Sequence, residues 1–314
     1  MFLCVSLNPA IDKRVRLKKL LPGHVNRVTE ILPAPGGKAA HVAMVLQALG
    51  ADPLWIGFAG GSSGQELLEG LGELNIRSHP VPIGKATRTN LEIIEESGVV
   101  TEILEPGPSV SSEETTAFRD AFRETLSGVH EETIAILSGS LPPGMPAEIY
   151  PTLIRIVREH GGKVVLDTSN EALRLALAAG PDLVKPNREE AEWLTGGQIN
   201  DPGSAAKSIK QLMREGAKSV AISLGEQGLV WRPSAGKTVY YVRPVKISAR
   251  SCVGSGDAAV AAFAFALASS LSPEETIRLA AACGAANCLA DSPGRARADD
   301  IRRLQQEVRV EILS

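Results

Sequence analysis

The sequence predicts an α/β fold with a mainly parallel sheet, and three observations carry that prediction. Short β-branched or aliphatic runs alternate with stretches of helical periodicity along most of the chain, the arrangement of successive βαβ units. At 314 residues, 44% hydrophobic and 22% charged, the chain has apolar content for a large core and lacks the bias of disorder or of a coiled coil. No stretch approaches the roughly 18 uninterrupted apolar residues of a membrane-spanning helix. At about 150 residues per domain the length allows two domains or one large α/β unit.

Phe2–Leu7 reads as the first strand. Lys38–Leu49 reads as a helix, because Val42, Val45, Leu46 and Leu49 fall at i, i+3, i+4 and i+7 before Gly50. Leu54–Phe58 is a strand and Gly64–Leu74 a helix; Ser111 and Glu114 then form a capping box ahead of Phe118, Phe122 and Leu126. Buried strands follow at Ile134–Leu137, Val164–Asp167, Leu183–Lys185 and Ser219–Ser223. The last third holds strands at Gly228–Arg232 and Thr238–Val242 and helices over Ala258–Ser269 and Pro273–Leu289. Segments 11–35 and 83–106 break the rhythm, with alternating stretches such as Thr89–Glu95. They read as inserted antiparallel strands that could pair into a small second sheet. A lid over a substrate site and plain surface hairpins both fit that pattern.

Lys+Arg less Asp+Glu is 33 − 36 = −3, so no net-basic field draws the chain to nucleic acid or an anionic membrane. Aromatic residues are 4%, too few for a platform that stacks single-stranded bases. Cys4, Cys252, Cys283 and Cys288 form no CxxC and no cluster with histidines, which argues against zinc or a disulfide framework. The first residues lack the basic leader and long apolar run of a signal peptide, and the expected compartment is the cytoplasm.

The sharpest motif is Val253-Gly254-Ser255-Gly256-Asp257, just before an Ala-rich helix. Glycines at a helix start leave backbone amides aimed at one point with the helix dipole behind them, which suits phosphate. Asp257 would repel phosphate unless it had its own task, such as taking the proton of an attacking hydroxyl; an ordinary glycine turn with Asp in the first helical turn is the alternative. Gly254-x-Gly256-x-x-Ala259 matches a dinucleotide fingerprint only by letter, because Ser272-Pro273-Glu274-Glu275 opens another helix where an acid-ended strand is needed. Gly36-Gly37-Lys38 opens a helix, and a lysine there can hold an anionic substrate group, though the rest of a Walker A loop is missing; Gly57–Gly64 is a weaker cluster that a plain strand-to-helix loop explains at least as well. Asn187 and Glu190 are three apart at a helix start, either as oxygen ligands for hydrated magnesium or as an N-cap with its acidic first turn.

In order along the chain, Asn8-Pro9-Ala10-Ile11-Asp12, Gly36-Gly37-Lys38, Thr87-Arg88-Thr89-Asn90, Ser138-Gly139-Ser140-Leu141-Pro142-Pro143-Gly144, Lys185-Pro186-Asn187-x-x-Glu190 and Gly254-Ser255-Gly256-Asp257 resemble the PfkB/ribokinase-type carbohydrate kinases. The first and fourth motifs look most like the branch that phosphorylates sugar phosphates, 1-phosphofructokinase and tagatose-6-phosphate kinase. The resemblance implies a ribokinase-like three-layer α/β/α sandwich over residues 1–314, with a small β-sheet lid from 11–35 and 83–106. It implies Asp257 as base, with Gly254, Ser255 and Gly256 stabilising the transferred phosphoryl group. Lys185, Asn187, Ser223, Gly225, Gly228, Gly256 and Asn287 would face ATP, and Asn187 and Glu190 would position Mg2+ through water. Asp12, Gly37, Lys38, His41 and Ser138 would face the sugar, and Arg88, Lys38 and Arg27 the phosphate already on it.

One departure stands out: the family usually reads Gly-Gly-Lys-Gly-x-Asn, and this chain reads Gly36-Gly37-Lys38-Ala39-Ala40-His41. His41 can donate and accept toward hydroxyls as asparagine does, but with different reach and a titrating charge; a packed helix residue is the alternative. The activity expected is ATP-dependent phosphoryl transfer to a sugar-phosphate hydroxyl. A kinase of an unphosphorylated sugar or nucleoside, and a degenerate sugar-phosphate sensor, are the other readings. The resemblance also implies a homodimer through the lids and leaves a monovalent cation such as K+ open.

Overall fold

A computed structural model describes residues 1–128 and 132–313. The strands are β1 (Phe2–Ser6), β2 (Ala10–Leu17), β3 (Glu30–Gly36), β4 (Pro53–Ala59), β5 (Arg77–Pro82), β6 (Arg88–Glu95), β7 (Val100–Ile103), β8 (Ile134–Ser138), β9 (Lys163–Asp167), β10 (Leu183–Val184), β11 (Val220–Ser223), β12 (Leu229–Arg232), β13 (Val239–Val242) and β14 (Val310–Leu313). The helices are α1 (Lys38–Ala48), α2 (Gly61–Glu73), α3 (Ser112–Ser127), α4 (Ile149–Glu159), α5 (Asn170–Ala178), α6 (Arg188–Thr195), α7 (Pro202–Arg214), α8 (Ser255–Ser269), α9 (Pro273–Leu289) and α10 (Ala298–Glu307).

The main sheet runs β14-β13-β12-β11-β10-β9-β8-β1-β4-β5. From β5 to β11 every pairing is parallel, because helices carry the chain back between strands. β12 and β13 turn antiparallel, since turns as short as Gly225–Gln227 cannot make a crossover. A parallel sheet is covered on both faces, so its strands are apolar on both. Leu3, Val5, Leu137 and Leu166 pack with Phe118, Tyr150, Leu153 and Ile209 of α3, α4 and α7. Cys4, Trp55, Ile136 and Val165 pack on the other face with Val42, Val45, Phe263 and Ala280 of α1, α8 and α9. This is the three-layer sandwich expected. Each such side chain taken fully from water contributes about 1.5–3 kcal/mol.

Local signals placed several helix starts correctly. Ser111–Glu114 and Ser272–Glu275 both form reciprocal capping boxes. The Ala-rich helix, however, begins at Ser255 and not Ala258, with Gly254 as its left-handed N-cap (φ 78°). The Gly-Ser-Gly-Asp motif is therefore the cap and first turn of α8, where a left-handed backbone favours glycine and an acid meets the positive end of the helix dipole.

The two insertions make a separate sheet in the order β3-β2-β6-β7. Each hairpin is antiparallel as expected, but the central β2–β6 pairing is parallel. The chain between them passes through α1, β4, α2 and β5, a crossover long enough to return in the same direction. The register sets Asp12 beside Asn90 and Arg14 beside Glu92 on one face, and Val15 beside Ile31 and Ile93 on the other. A slip of one residue would exchange the faces. Among the described residues no helix is long and apolar enough to cross a membrane.

Within the lid, Arg14 and Glu92 are both buried and bonded in a fork, Nε to Oε2 at 2.8 Å and a terminal nitrogen to Oε1 at 3.1 Å. Removing one partner leaves the other charge buried and alone. Glu92→Ala should lower unfolding free energy by about 3–5 kcal/mol, and Arg14→Met with Glu92→Leu should recover most of it. Urea titration checks both; a single variant as stable as the parent would refute the lid's dependence on this pair.

Candidate active site

In a parallel sheet all the strand carboxyl ends lie along one edge, and the loops that leave them converge. Here that edge and the lid enclose a cleft of about 570 Å³. Ser6 and Asn8 reach it from the end of β1, Ser138 from β8, Asp167 from β9, Lys185 after β10 and Ser223 from β11. The first turns of α1, α6 and α8 add Lys38 and His41, Glu190, and Gly256 and Asp257, while the lid adds Asp12, Arg88, Asn90 and Glu92.

At the centre, one imidazole joins two carboxylates. His41 Nδ1 lies 2.8 Å from Asp257 Oδ2 and its Nε2 lies 3.0 Å from Asp12 Oδ2. His41 and Asp257 are both buried. Burial alone would push the His41 pKa down, but the bonds and charges of Asp12 and Asp257 outweigh it and raise it to about 10. Burial would likewise raise the Asp12 carboxyl; His41, Asn90 Nδ2 at 2.9 Å and the Gly37 amide at 3.3 Å hold it below its ordinary value instead. Asp12 lies so close to β3 that a β-carbon on Gly36 would fall 2.2 Å from its Cγ, which is why glycine stands there. His41 thus lines the cleft with both ring nitrogens held by carboxylates, an arrangement its sequence position did not reveal.

A second charged group sits nearby. Asp167, almost wholly buried, takes Lys38 Nζ at 3.1 Å on Oδ2 and Lys185 Nζ at 3.5 Å on Oδ1. Burial acts to raise the Asp167 carboxyl, and the two ammonium groups lower it overall. The same logic reverses for Lys38, where burial is outweighed by Asp167, Asp257 and Glu190 and the pKa rises. A β-carbon on Gly256 would meet Lys185 Nζ at 3.3 Å, so this ammonium lies against the glycine loop. Asn187 and Glu190 cap α6 reciprocally, each side chain bonded to the other's amide at 2.8 Å. Both line the cleft, and the Glu190 carboxyl is raised chiefly by burial.

Other polar atoms in the cleft have no partner: Asn8 Oδ1, Asn90 Oδ1, Ser138 Oγ and Arg88 Nε are buried and unbonded. A buried polar atom left unpaired costs about 1–3 kcal/mol, and such a set facing one cavity is matched to hydroxyls and oxyanions. Arg88 lines the cleft, but its terminal nitrogens donate to the carbonyls of Asn8 and Glu105 at 2.9 and 2.8 Å. Arg27 is exposed and is not among the residues that line the cleft. Neither Gly225 nor Gly228, in the turn after β11, is among the lining residues. Asn287 is buried away from the cleft, its amide donating to Val253 O and accepting from Gly294 N, both at 2.8 Å. It braces the loop that leads into α8.

Sequence reasoning missed Asp167, Asn90 and Glu92 as cleft residues. Asp167 carried a usable signal, an acid closing a buried parallel strand, the position at which open α/β sheets gather their ligands. Asn90 and Glu92 could be assigned to the cleft only once the parallel β2–β6 register was known. The arrangement is suited to holding a polyhydroxyl compound beside a bound phosphate and removing a proton between them.

Comparison with known proteins agrees with this chemistry. The family model for pfkB family carbohydrate kinases matches residues 3–298. The chain is similar to Escherichia coli phosphofructokinase-2, solved in complex with substrates and products (31% identity, TM-score 0.89, 98% of each chain covered). The same enzyme is solved as a tetrameric inhibited form (31% identity, TM-score 0.88, 98% of each chain covered). It is also similar to a Thermotoga maritima protein described as a possible 1-phosphofructokinase (25% identity, TM-score 0.88, 100% of each chain covered).

Proposed function

From the premise that this chain belongs to the pfkB family of carbohydrate kinases, we propose that it transfers the γ-phosphoryl group of ATP to a free hydroxyl of a sugar phosphate, with Asp257 as the base. The observation that carries the reading is the placement of Asp257. Its carboxylate stands in the first turn of α8 behind the Gly254–Gly256 cap, with Oδ2 bonded to His41 and Oδ1 without a hydrogen bond among the described residues. Oδ1 is then free to take the proton of the acceptor hydroxyl as its oxygen bonds to the γ-phosphorus and the bond to the β-phosphate oxygen breaks. The Gly256 and Asp257 amides in the first turn of α8 have no intrahelical acceptors and would bear on the transferred group's oxygens, with Lys185 alongside.

Magnesium enters as the usual companion of ATP. Among the described residues no cluster of three or more His, Cys, Asp or Glu could cage a metal, which suits an ion held largely by phosphates and water. Glu190, with Asn187 beside it, supplies the hard oxygens at the edge of the cleft. The ion would neutralise charge on the phosphates.

For the acceptor, Asp12, Asn8, Asn90 and Ser138 are assigned to sugar hydroxyls, and Arg88 with Lys38 to the phosphate it already carries. The names of the similar proteins, phosphofructokinase-2 and 1-phosphofructokinase, support a phosphorylated ketohexose. We also assign the lid's outer face to contact with a second copy of this chain. Ile31, Val99 and Ile103 are exposed there, alongside Val15 and Ile93, which are buried neighbours of Ile31 in the same sheet. An exposed apolar sheet face next to an active site is suited to a self-complementary interface.

Asp257→Asn should cut kcat by about 10²–10⁴, the range of a general base, in an assay of ADP release with fructose 1-phosphate, fructose 6-phosphate and tagatose 6-phosphate. Turnover near the parent's would remove Asp257 from the role. In the same assay Arg88→Ala should raise KM for the sugar phosphate at least tenfold and leave KM for ATP nearly unchanged. Equal activity on unphosphorylated sugars would transfer the assignment to a neutral acceptor. Ile31→Glu with Ile103→Glu should dissociate the oligomer; sedimentation reads its mass, and an unchanged mass would move the interface elsewhere.

A further inference from the structure

Two acceptor-only contacts decide the state of His41. A carboxylate oxygen cannot donate, so a ring nitrogen bonded to one must carry hydrogen. His41 makes such bonds on both sides, to Asp257 Oδ2 at 2.8 Å and to Asp12 Oδ2 at 3.0 Å. A neutral ring has hydrogen on one nitrogen alone. Moving the extra proton to Asp12 is disfavoured, because that carboxylate also accepts from Asn90 Nδ2 and the Gly37 amide. We propose that His41 is a positioning residue held as the imidazolium, which clamps Asp257 to Asp12 and so fixes the proton-accepting carboxylate against the carboxylate that orients the sugar.

The clamp is held from behind as well. Gly294 packs so closely that a β-carbon there would lie 2.9 Å from His41 Cα, and Gly294 is itself bonded to Asn287. With Asp257 Oδ2 engaged, Oδ1 is the oxygen left for the acceptor hydroxyl. The catalytic half of this inference rests on the kinase reading above; the charge on the ring does not.

Other charges face this group from each neighbouring element. Lys38 lies one turn before it on α1; Arg88, Glu92 and Glu102 come from the lid, Asp167 and Lys185 from the sheet edge, and Glu190 from α6. Among the described residues none of these is bonded to the ring, whose partners are Asp12 and Asp257. The folded pKa, raised to about 10, lies above the ordinary value near 6.5. The stability contributed by the clamp is therefore complete below about 6.5, declines as pH rises above it, and is gone beyond about 10.

Protein labelled with 15N on its histidine rings tests the charge directly, with His41→Asn and His41→Gln used to assign the signal. At pH 8.5 the ring of His41 should show both nitrogens protonated, where an ordinary histidine is neutral. A single protonated nitrogen at that pH overturns the clamp, whatever the enzyme's substrate. Kinetics then test its purpose. His41→Asn should lower kcat by about 10–100-fold with KM for ATP unchanged, the scale of a misplaced reacting group. It should also abolish the parent's fall in kcat as pH approaches 10. A doubly protonated ring in the parent, combined with parental kcat and an unchanged alkaline limb in both His41 variants, would make His41 structural only and refute the positioning role. Loss of all turnover in the parent on every sugar phosphate would instead reject the kinase reading and leave the charge result standing.

Discussion

The cleft depends on pairing charge that the fold takes out of water. Asp12 comes from the lid sheet and Asp257 from the first turn of α8, and a buried carboxylate is costly enough that it must find a cation or lose its charge. One imidazole meets both. Because Asp12 belongs to the lid and Asp257 to α8, that contact also settles how the lid sits over the sheet edge. A second tie runs beside it: Glu92, already paired with Arg14, accepts the hydroxyl hydrogen of Ser251, whose oxygen in turn accepts from the Val253 amide at 3.2 Å. The lid is thereby joined to the chain that enters the Gly254–Gly256 cap.

Asp167 organises the other half of the cleft by the same rule with the signs reversed. Two ammonium groups, Lys38 and Lys185, converge on one buried carboxylate. The cleft therefore has a cationic side against the glycine cap and a hydroxyl-matched side beneath the lid. Under the proposed reaction, phosphate chemistry would belong to the first and polyol recognition to the second, with Asp257 where they meet.

Much of this was legible in the chain. The βαβ alternation, the capping boxes at Ser111 and Ser272 and the loop before α8 are local patterns, and they recur in the structure with boundaries shifted by a few residues at most. The six motifs, each weak alone, identified the family in combination. What stayed hidden was pairing between distant segments. The parallel β2–β6 register follows from the crossover between them, and without it neither Asn90, though part of a motif, nor Glu92 could be set beside Asp12 and Arg14. The family resemblance implied Asn287 as an ATP contact, whereas its amide is engaged by two backbone groups.

His41 marks the boundary between the two kinds of knowledge. Its departure from asparagine, its place in the first turn of a helix and the glycine pair before it are all properties of neighbouring residues, and the chain alone establishes them. Its charge is not. Asp12 lies on another strand and Asp257 is 216 residues away, and the ionisation of a side chain is set by what surrounds it in space. Local sequence decides which helices and turns form because those rest on bonds a few residues apart. Protonation, burial and the choice of which carboxylate oxygen is left free belong to the folded molecule, because only folding brings the interacting charges together.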